Sequence, residues 1–298
     1  MQTASISVVV PTHDRPAALG ACLAALAAQT VRPERFEVIV VDDGGSIEVG
    51  DVVARHQSSL RITLSRRSHA GPAAARNAGA ELAQGEVLAF TDDDCAPDPD
   101  WLATIASAVE HSPGCLVGGR TENALSGNPC SEASQAVIAY LYADGLRQTG
   151  ELPFVTSNNL AVEHEFFDKL GGFDPSFPEA AAEDRDLSAR CTSSGGSLVY
   201  EPAAVVRHAH PLDLSSLLRQ YVAYGRGARR MAHAGPGIRS SGFYAGMLLE
   251  PYRRHSLRRA VVVAPLIALT QIGTAIGYAS GGQAVAARKY RSEDRAGA

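Results

Sequence analysis

The chain has 298 residues, 45% of them apolar, and a formal net charge of −5. That is enough for one large domain with an appendage, and it offers no overall basic field for nucleic acid. Its five cysteines, at 22, 95, 115, 130 and 191, contain no C-x-x-C pair, which argues against a zinc site or disulfide frame and for reduced thiols in a cytosolic setting.

Ile6–Val10 is short and β-branched, so it reads as a buried strand. No basic stretch with a long apolar core stands before it, and no signal peptide is expected. Pro11-Thr12-His13-Asp14-Arg15-Pro16 follows, where Asp14 can cap and Pro16 can open an Ala/Leu-rich helix reaching Ala28. Phe36–Val41 is a second strand, ending in Asp42-Asp43-Gly44-Gly45-Ser46. A polar helix to about Ser58, a short strand around Arg61–Ser65 and a helix over Ala73–Ala83 come next. The apolar run Val87–Phe90 then meets Thr91-Asp92-Asp93-Asp94-Cys95. Alternating strands and helices predict a mostly parallel sheet with right-handed crossovers.

Each strand ends in polar residues, Thr12, Asp43 and Asp92–Asp94, converging on the sheet edge where open α/β sheets bind ligands. Three adjacent carboxylates repel one another. They form either a solvated acidic turn or the site of a hard cation, which takes oxygen ligands. If the segment is extended, Asp92 and Asp94 share a face and Asp93 points away.

Beyond a helix over Asp100–Glu110 and a strand over Cys115–Gly119 the alternation stops. Ser131–Ala143 is helical in pattern, and Gly145 and Gly150 are expected to break it. Phe154–Val162 frames Asn158 and Asn159, which can meet a sugar hydroxyl or only satisfy buried backbone. Glu183-Asp184-Arg185-Asp186-Leu187 opens a helix where acids favour the positive dipole end. Strand-like Leu198–Tyr200 and Val205–Arg207 lead to His208 and His210, and Leu214–Met231 is a basic, Tyr-containing helix.

The first strand carries neither G-x-G-x-x-G nor G-x-x-x-x-G-K-[ST], so a Gly-rich turn does not cradle phosphates there. Instead Pro11-Thr12, Val41-Asp42-Asp43-Gly44, Ala75-Arg76-Asn77-Ala78-Gly79, Thr91-Asp92-Asp93-Asp94, Gly171-Gly172-Phe173-Asp174 and Glu183-Asp184-Arg185-Asp186-Leu187 occur in order. In this the chain resembles inverting family 2 glycosyltransferases of GT-A fold, from about residue 5 to 230.

The resemblance implies a nucleotide-diphospho-sugar transferase fold and a set of roles. Thr12 and Asp43 would contact the donor nucleotide, with Asp43 reading the base edge, and Arg76 would lie near the nucleotide or diphosphate, the alternative being an ordinary surface charge. Asp92 and Asp94 would form the D-x-D, Asp94 being the favoured direct ligand of Mn²⁺ or Mg²⁺, with His208 a further ligand. Asp184 would be the general base, unless it merely caps its helix and leaves that role to Asp186 or Glu183; Asp92, Asn159 and Glu183 are expected on the substrates. The implied activity is transfer, with inversion, from a nucleotide-diphosphate sugar, a UDP-sugar foremost, to a hydroxyl of a saccharide or lipid-linked acceptor. Elementary chemistry agrees: a departing diphosphate needs a cation, and an acceptor hydroxyl needs a base.

Two departures stand out. Cys95 replaces the last Asp of the common D-x-D-D form, and Gln220–Arg226 stands where processive synthases carry Q-x-x-R-W. A nucleotidyltransferase would place a Gly-rich basic loop where Pro11–Arg15 stands, and a non-catalytic sugar-nucleotide-binding protein would not need Asp184. The reading divides the chain into a catalytic domain over 1–230, its nucleotide-sugar half at 1–120 and acceptor half at 121–230, and a helical, membrane-associated region over 231–298.

Residues 260–287 carry no charge, Arg253-Arg254 and Arg258-Arg259 precede them, and Arg288-Lys289-Tyr290-Arg291 follow. The length suits a bilayer span or a helix lying on its surface. Contact through residues 255–290 with the inner face of a cell membrane, from the cytoplasm, is the expectation.

Overall fold

The computed structural model describes residues 6–177, 181–231 and 239–281. Parts of the expected C-terminal region, 232–238 and 282–298, lie outside the described residues. They include the end of the uncharged run and the basic cluster after it.

The first half alternates as its pattern predicts. Strands β1 (Ile6–Thr12), β2 (Phe36–Asp42), β3 (Ile62–Arg66) and β4 (Val87–Phe90) are separated by helices α1 (Pro16–Ala27), α2 (Gly50–His56) and α3 (Pro72–Leu82). Pro16 and Pro72 open their helices at a position where a missing N–H costs nothing. β1 lies between β2 and β4, parallel to both, with Val8 level with Val38 and Ala89. The β-branched runs are covered on both faces. Val8 and Val10 point into one core with Leu19, Leu23 and Trp101, while Val9 points into another with Phe90, Phe167 and Phe173.

The second half departs from simple alternation. It runs through β5 (Cys95–Pro97), α4 (Trp101–Glu110), β6 (Leu116–Asn123), α5 (Pro129–Thr149), β7 (Leu160–Glu163), α6 (His164–Leu170), α7 (Glu183–Ser193) and β8 (Leu198–His208). The strand order is β3-β2-β1-β4-β7-β6-β8-β5. β6 joins the sheet two places beyond β4, and β7 fills the slot between them, antiparallel to both neighbours. β5 is antiparallel to β8. The sheet is therefore mixed, its parallel character residing in β1–β4 and the β6–β8 pair.

Two local expectations fail for identifiable reasons. Gly145 does not break α5, which continues to Gly150 in the left-handed conformation (φ 78°). Gly145 is needed because a Cβ there would meet Pro153 Cδ at 2.6 Å, so the returning chain packs directly on the helix. The two expected strand pieces at 198–200 and 205–207 form one strand, β8, whose pairing with β6 shifts register between Gly119 and Arg120.

Helices α8 (Leu214–Met231), α9 (Ser241–Arg254) and α10 (Leu257–Ser280) close the described chain. They share with α5 a third core built on Tyr140, Leu217, Tyr221, Met247, Val263 and Ile267. Val263 and Ile267 are fully buried, and side chains of this kind stabilise by about 1.5–3 kcal/mol each when buried.

Candidate active site

The polar ends of the strands meet at one edge of the sheet. The chain turns there instead of remaining extended: Thr91 N donates to Val9 O (3.3 Å) and Cys95 N to Asp92 O (3.1 Å). From this turn Asp92 reaches Arg76, while Asp93 and Asp94 share Arg15.

Asp93 is fully buried. It accepts a hydrogen bond from Thr12 Oγ1 (2.6 Å) and pairs with Arg15 (2.5 Å). Burial, opposed by Arg15, pushes its carboxyl up to about 7.

Asp94 faces Arg15 (2.8 Å), His208 Nε2 (3.2 Å) and His210 Nδ1 (3.3 Å), and the two imidazoles stack with centroids 5.2 Å apart. Burial works against its charge, but the hydrogen bonds from His208 and His210 and the charges around it hold its carboxyl well below the usual range. Burial also disfavours the His208 imidazolium, and Asp94 outweighs it, so the His208 pKa is raised. Potential ligand atoms of Asp94, Cys95 and His208 lie within 4.8 Å of one another. Burial and the neighbouring Asp92 and Asp94 push the Cys95 thiol well up, which disfavours the thiolate form that binds metals.

Asp92 turns instead to Arg76 (2.7 Å), which lies on α3 and is 2% exposed. The same guanidinium reaches Glu183 (3.0 Å) at the start of α7. Arg76 is thus a buried bridge and not a surface charge. Burial weakens its hold on its proton, and Asp92 and Glu183 more than restore it. Glu183 is 3% exposed, and burial with adjacent Asp184, against Arg76, pushes its carboxyl up to about 7. Asp184 is half-buried and raised by burial, with Arg185 opposing. One of its oxygens accepts from Arg185 N (2.8 Å). Asp92, Glu183, Asp184 and His208 line one cavity, whose other wall includes Ser131, Ser134 and Gln135 of α5.

Thr12 and Asp43 do not line that cavity. Asp43 accepts from Ala70 N (3.1 Å) and Gly71 N (2.8 Å) and pins the loop leading into α3, beside the His13 and His69 rings. Asn159, expected on the substrate, is structural. It is fully buried, accepts from Trp101 Nε1 (2.9 Å) and donates to Arg120 O (3.1 Å) and Ala204 O (3.0 Å), leaving nothing for a sugar. Its neighbour Asn158 lines the cavity. Arg15 and His210 were not assigned roles by motif. Arg15 follows the first strand at the ligand-binding edge, and His210 lies two residues from His208, so position was the only signal that could have found them.

The family model described as Glycosyl transferase family 2 matches residues 7–171. Validoxylamine A glucosyltransferase of Streptomyces hygroscopicus subsp. limoneus is 31% identical over 218 residues, covering 64% of this chain and 48% of that protein. Glycosyltransferase AglE of Haloferax volcanii is 28% identical over 229 residues, 74% of this chain and 72% of the relative. The chain spans about half the length of the validoxylamine A glucosyltransferases it matches. Among solved structures, mannosyltransferase PcManGT from Pyrobaculum calidifontis, in complex with GDP-Man and Mn²⁺, has a TM-score of 0.61 at 20% identity, over 93% of this chain and 87% of that one. S. aureus TarS 1–349 in complex with UDP has a TM-score of 0.56 at 16% identity, over 92% and 89%. With the mixed sheet, the motif order and the family match in agreement, the chain belongs to glycosyltransferase family 2 and has the GT-A fold.

Proposed function

We propose that the protein is a metal-dependent inverting glycosyltransferase. The observation that carries this reading is one cavity wall holding His208, beside Asp94, together with a half-buried carboxylate, Asp184, whose second oxygen has no hydrogen-bond partner among the described residues. Asp94 and His208 fit a divalent ion: one hard carboxylate and one imidazole converge, which suits Mn²⁺ and, less well, the more oxygen-demanding Mg²⁺. When bound, such an ion offsets the charge of the leaving diphosphate.

The chain's own groups supply the rest. Asp184 accepts the proton of the acceptor hydroxyl as that oxygen attacks the sugar carbon, and one displacement inverts the centre. Glu183 is a poorer base because its carboxylate is committed to Arg76 and almost wholly buried. Arg76, clamped by Asp92 and Glu183, positions the base-bearing start of α7 against the donor side. Thr12 acts through Asp93 and Asp43 through the 67–71 loop, holding the surfaces that receive the nucleotide.

The donor is a nucleoside-diphosphate sugar, a UDP-sugar foremost; fold neighbours bound to UDP and GDP-Man support the class. The donor half is assigned to 1–120 and the acceptor half to 121–230, where α5 offers Ser131, Ser134 and Gln135 to a saccharide or lipid-linked acceptor. A position at the cytoplasmic face of a membrane belongs to the same reading, and the long apolar helix α10 supports it. Asp184→Asn tests the core of the reading. Calorimetric binding of a UDP-sugar with Mn²⁺ should persist while transfer falls by about 10²–10⁴-fold, the usual worth of a general base. Near-normal transfer by the variant would remove Asp184 from the mechanism.

A further inference from the structure

Charge is segregated along this chain. Residues 214–281 hold nine arginines and a single carboxylate, Glu250, although the whole chain is at −5. Within that segment α10 is long and apolar enough to cross a membrane by length and composition. Its packing forbids that orientation. α10 lies against α8 at backbone contact: a Cβ on Gly277 would meet Val222 O at 2.0 Å, and one on Gly225 would meet Thr274 O at 2.1 Å. α8 carries Arg219, Arg226, Arg229 and Arg230, so inserting α10 across a bilayer would drag four arginines into hydrocarbon.

The other face of α10 is uncovered and apolar. Leu257 is 70% exposed, Val261 49%, Val262 47%, Ile272 53% and Ile276 54%, and Pro265 and Ala275 continue the same helical face. Basic residues stand at both ends of this stripe. Arg253, Arg254 and Arg258 lie at its start, and Arg258 has no ion pair among the described residues. Arg226 is exposed at its far end, and Arg229 lies over the Tyr278 ring (5.2 Å). Arg259 is turned inward and bound by Glu132 of α5. An apolar helical face with cations at both ends and no carboxylate on the helix is complementary to an anionic lipid surface.

We infer that the protein docks as a monotopic protein on anionic membranes, with α10 lying in the plane of the interface, its outer face sunk into the acyl boundary and its flanking arginines among the headgroups. This deepens the membrane placement proposed above and is independent of the catalytic assignment.

The full-length protein should co-sediment with vesicles of phosphatidylcholine containing about a quarter phosphatidylglycerol, and far less with phosphatidylcholine alone or in high salt. Ile272→Glu with Ile276→Glu should lower the partition coefficient by about tenfold or more. Both sites are over half exposed, so the thermal melt and calorimetric donor binding should stay as in the wild type. Arg226→Glu with Arg258→Glu should reduce binding to the level seen on neutral vesicles. Alkaline carbonate should release the protein.

Unchanged binding by the Ile272/Ile276 pair, or retention in carbonate, would overturn the in-plane arrangement while leaving membrane association standing. Absence of binding to either vesicle would overturn both. A dimer by light scattering that the same pair dissociates, without vesicle binding, would assign the face to a second copy instead.

Discussion

Replacing Arg76 with Met probes the bridge that joins the two halves of the site. Arg76 is 2% exposed and holds Asp92 at 2.7 Å and Glu183 at 3.0 Å. Methionine keeps much of the volume but strands two carboxylates, and breaking a buried ion pair in this way costs about 3–5 kcal/mol. The cost must depend on pH. Glu183 titrates at about 7 in the folded protein, against 4.5 for the free side chain, because burial and Asp184 outweigh Arg76. A raised carboxyl binds protons more tightly in the folded state, so its contribution is full below the unfolded value and is lost as pH rises towards the folded one. Without Arg76 the folded value rises further, and the loss extends to higher pH. Urea unfolding followed by circular dichroism should therefore show a smaller destabilisation at about pH 5, where only the Asp92 contact is lost, than near pH 8. Adding Glu183→Gln to Arg76→Met should remove most of the pH dependence. A loss that is equal at both pH values, or below about 1 kcal/mol at the higher one, would refute the buried-bridge account.

The aspartate triplet should divide by position. Asp94→Asn should abolish Mn²⁺-dependent binding of a UDP-sugar measured by calorimetry, whereas Asp93→Asn should leave it within a few-fold and act on Arg15 and Thr12 instead; equal losses would contradict the turn geometry. Full transfer in the presence of a chelator would remove the metal from the reading. Asn159→Ala should cost about 3 kcal/mol of stability through three orphaned partners, with the KM for donor unchanged in the folded fraction. A selective rise in that KM would return Asn159 to the substrate.

Much of the site was legible because its residues lie at predictable places on predictable elements. β-branched runs ending in Thr12, Asp43 and Asp92–Asp94 read as parallel strands, and the carboxyl ends of such strands share an edge. Glu183 and Asp184 read as a helix start, and α7 does begin there. The orientation of each side chain was less legible. Asp92 takes Arg76 as its partner and Asp94 takes Arg15, His208 and His210, a choice that no local pattern registers. Asn159 reads as polar and available until Trp101, Arg120 and Ala204 are found around it. Gly145 reads as a breaker because propensity does not register Pro153 arriving from later in the chain.

Local patterning, by itself, determined the alternating β1–β4 half, the motifs that mark family 2, the acidic cluster and the presence of a long apolar segment near the C-terminus. Those properties rest on hydrophobic period, turn chemistry and residue order, which are local. Tertiary structure alone decided that β7 runs against its neighbours, that Arg76 ties Asp92 to Glu183, that His210 joins His208 at Asp94, and that α10 lies against α8 with one apolar face outward. Each of these depends on contacts between residues far apart in sequence, whose energies arise only when packing removes them from water.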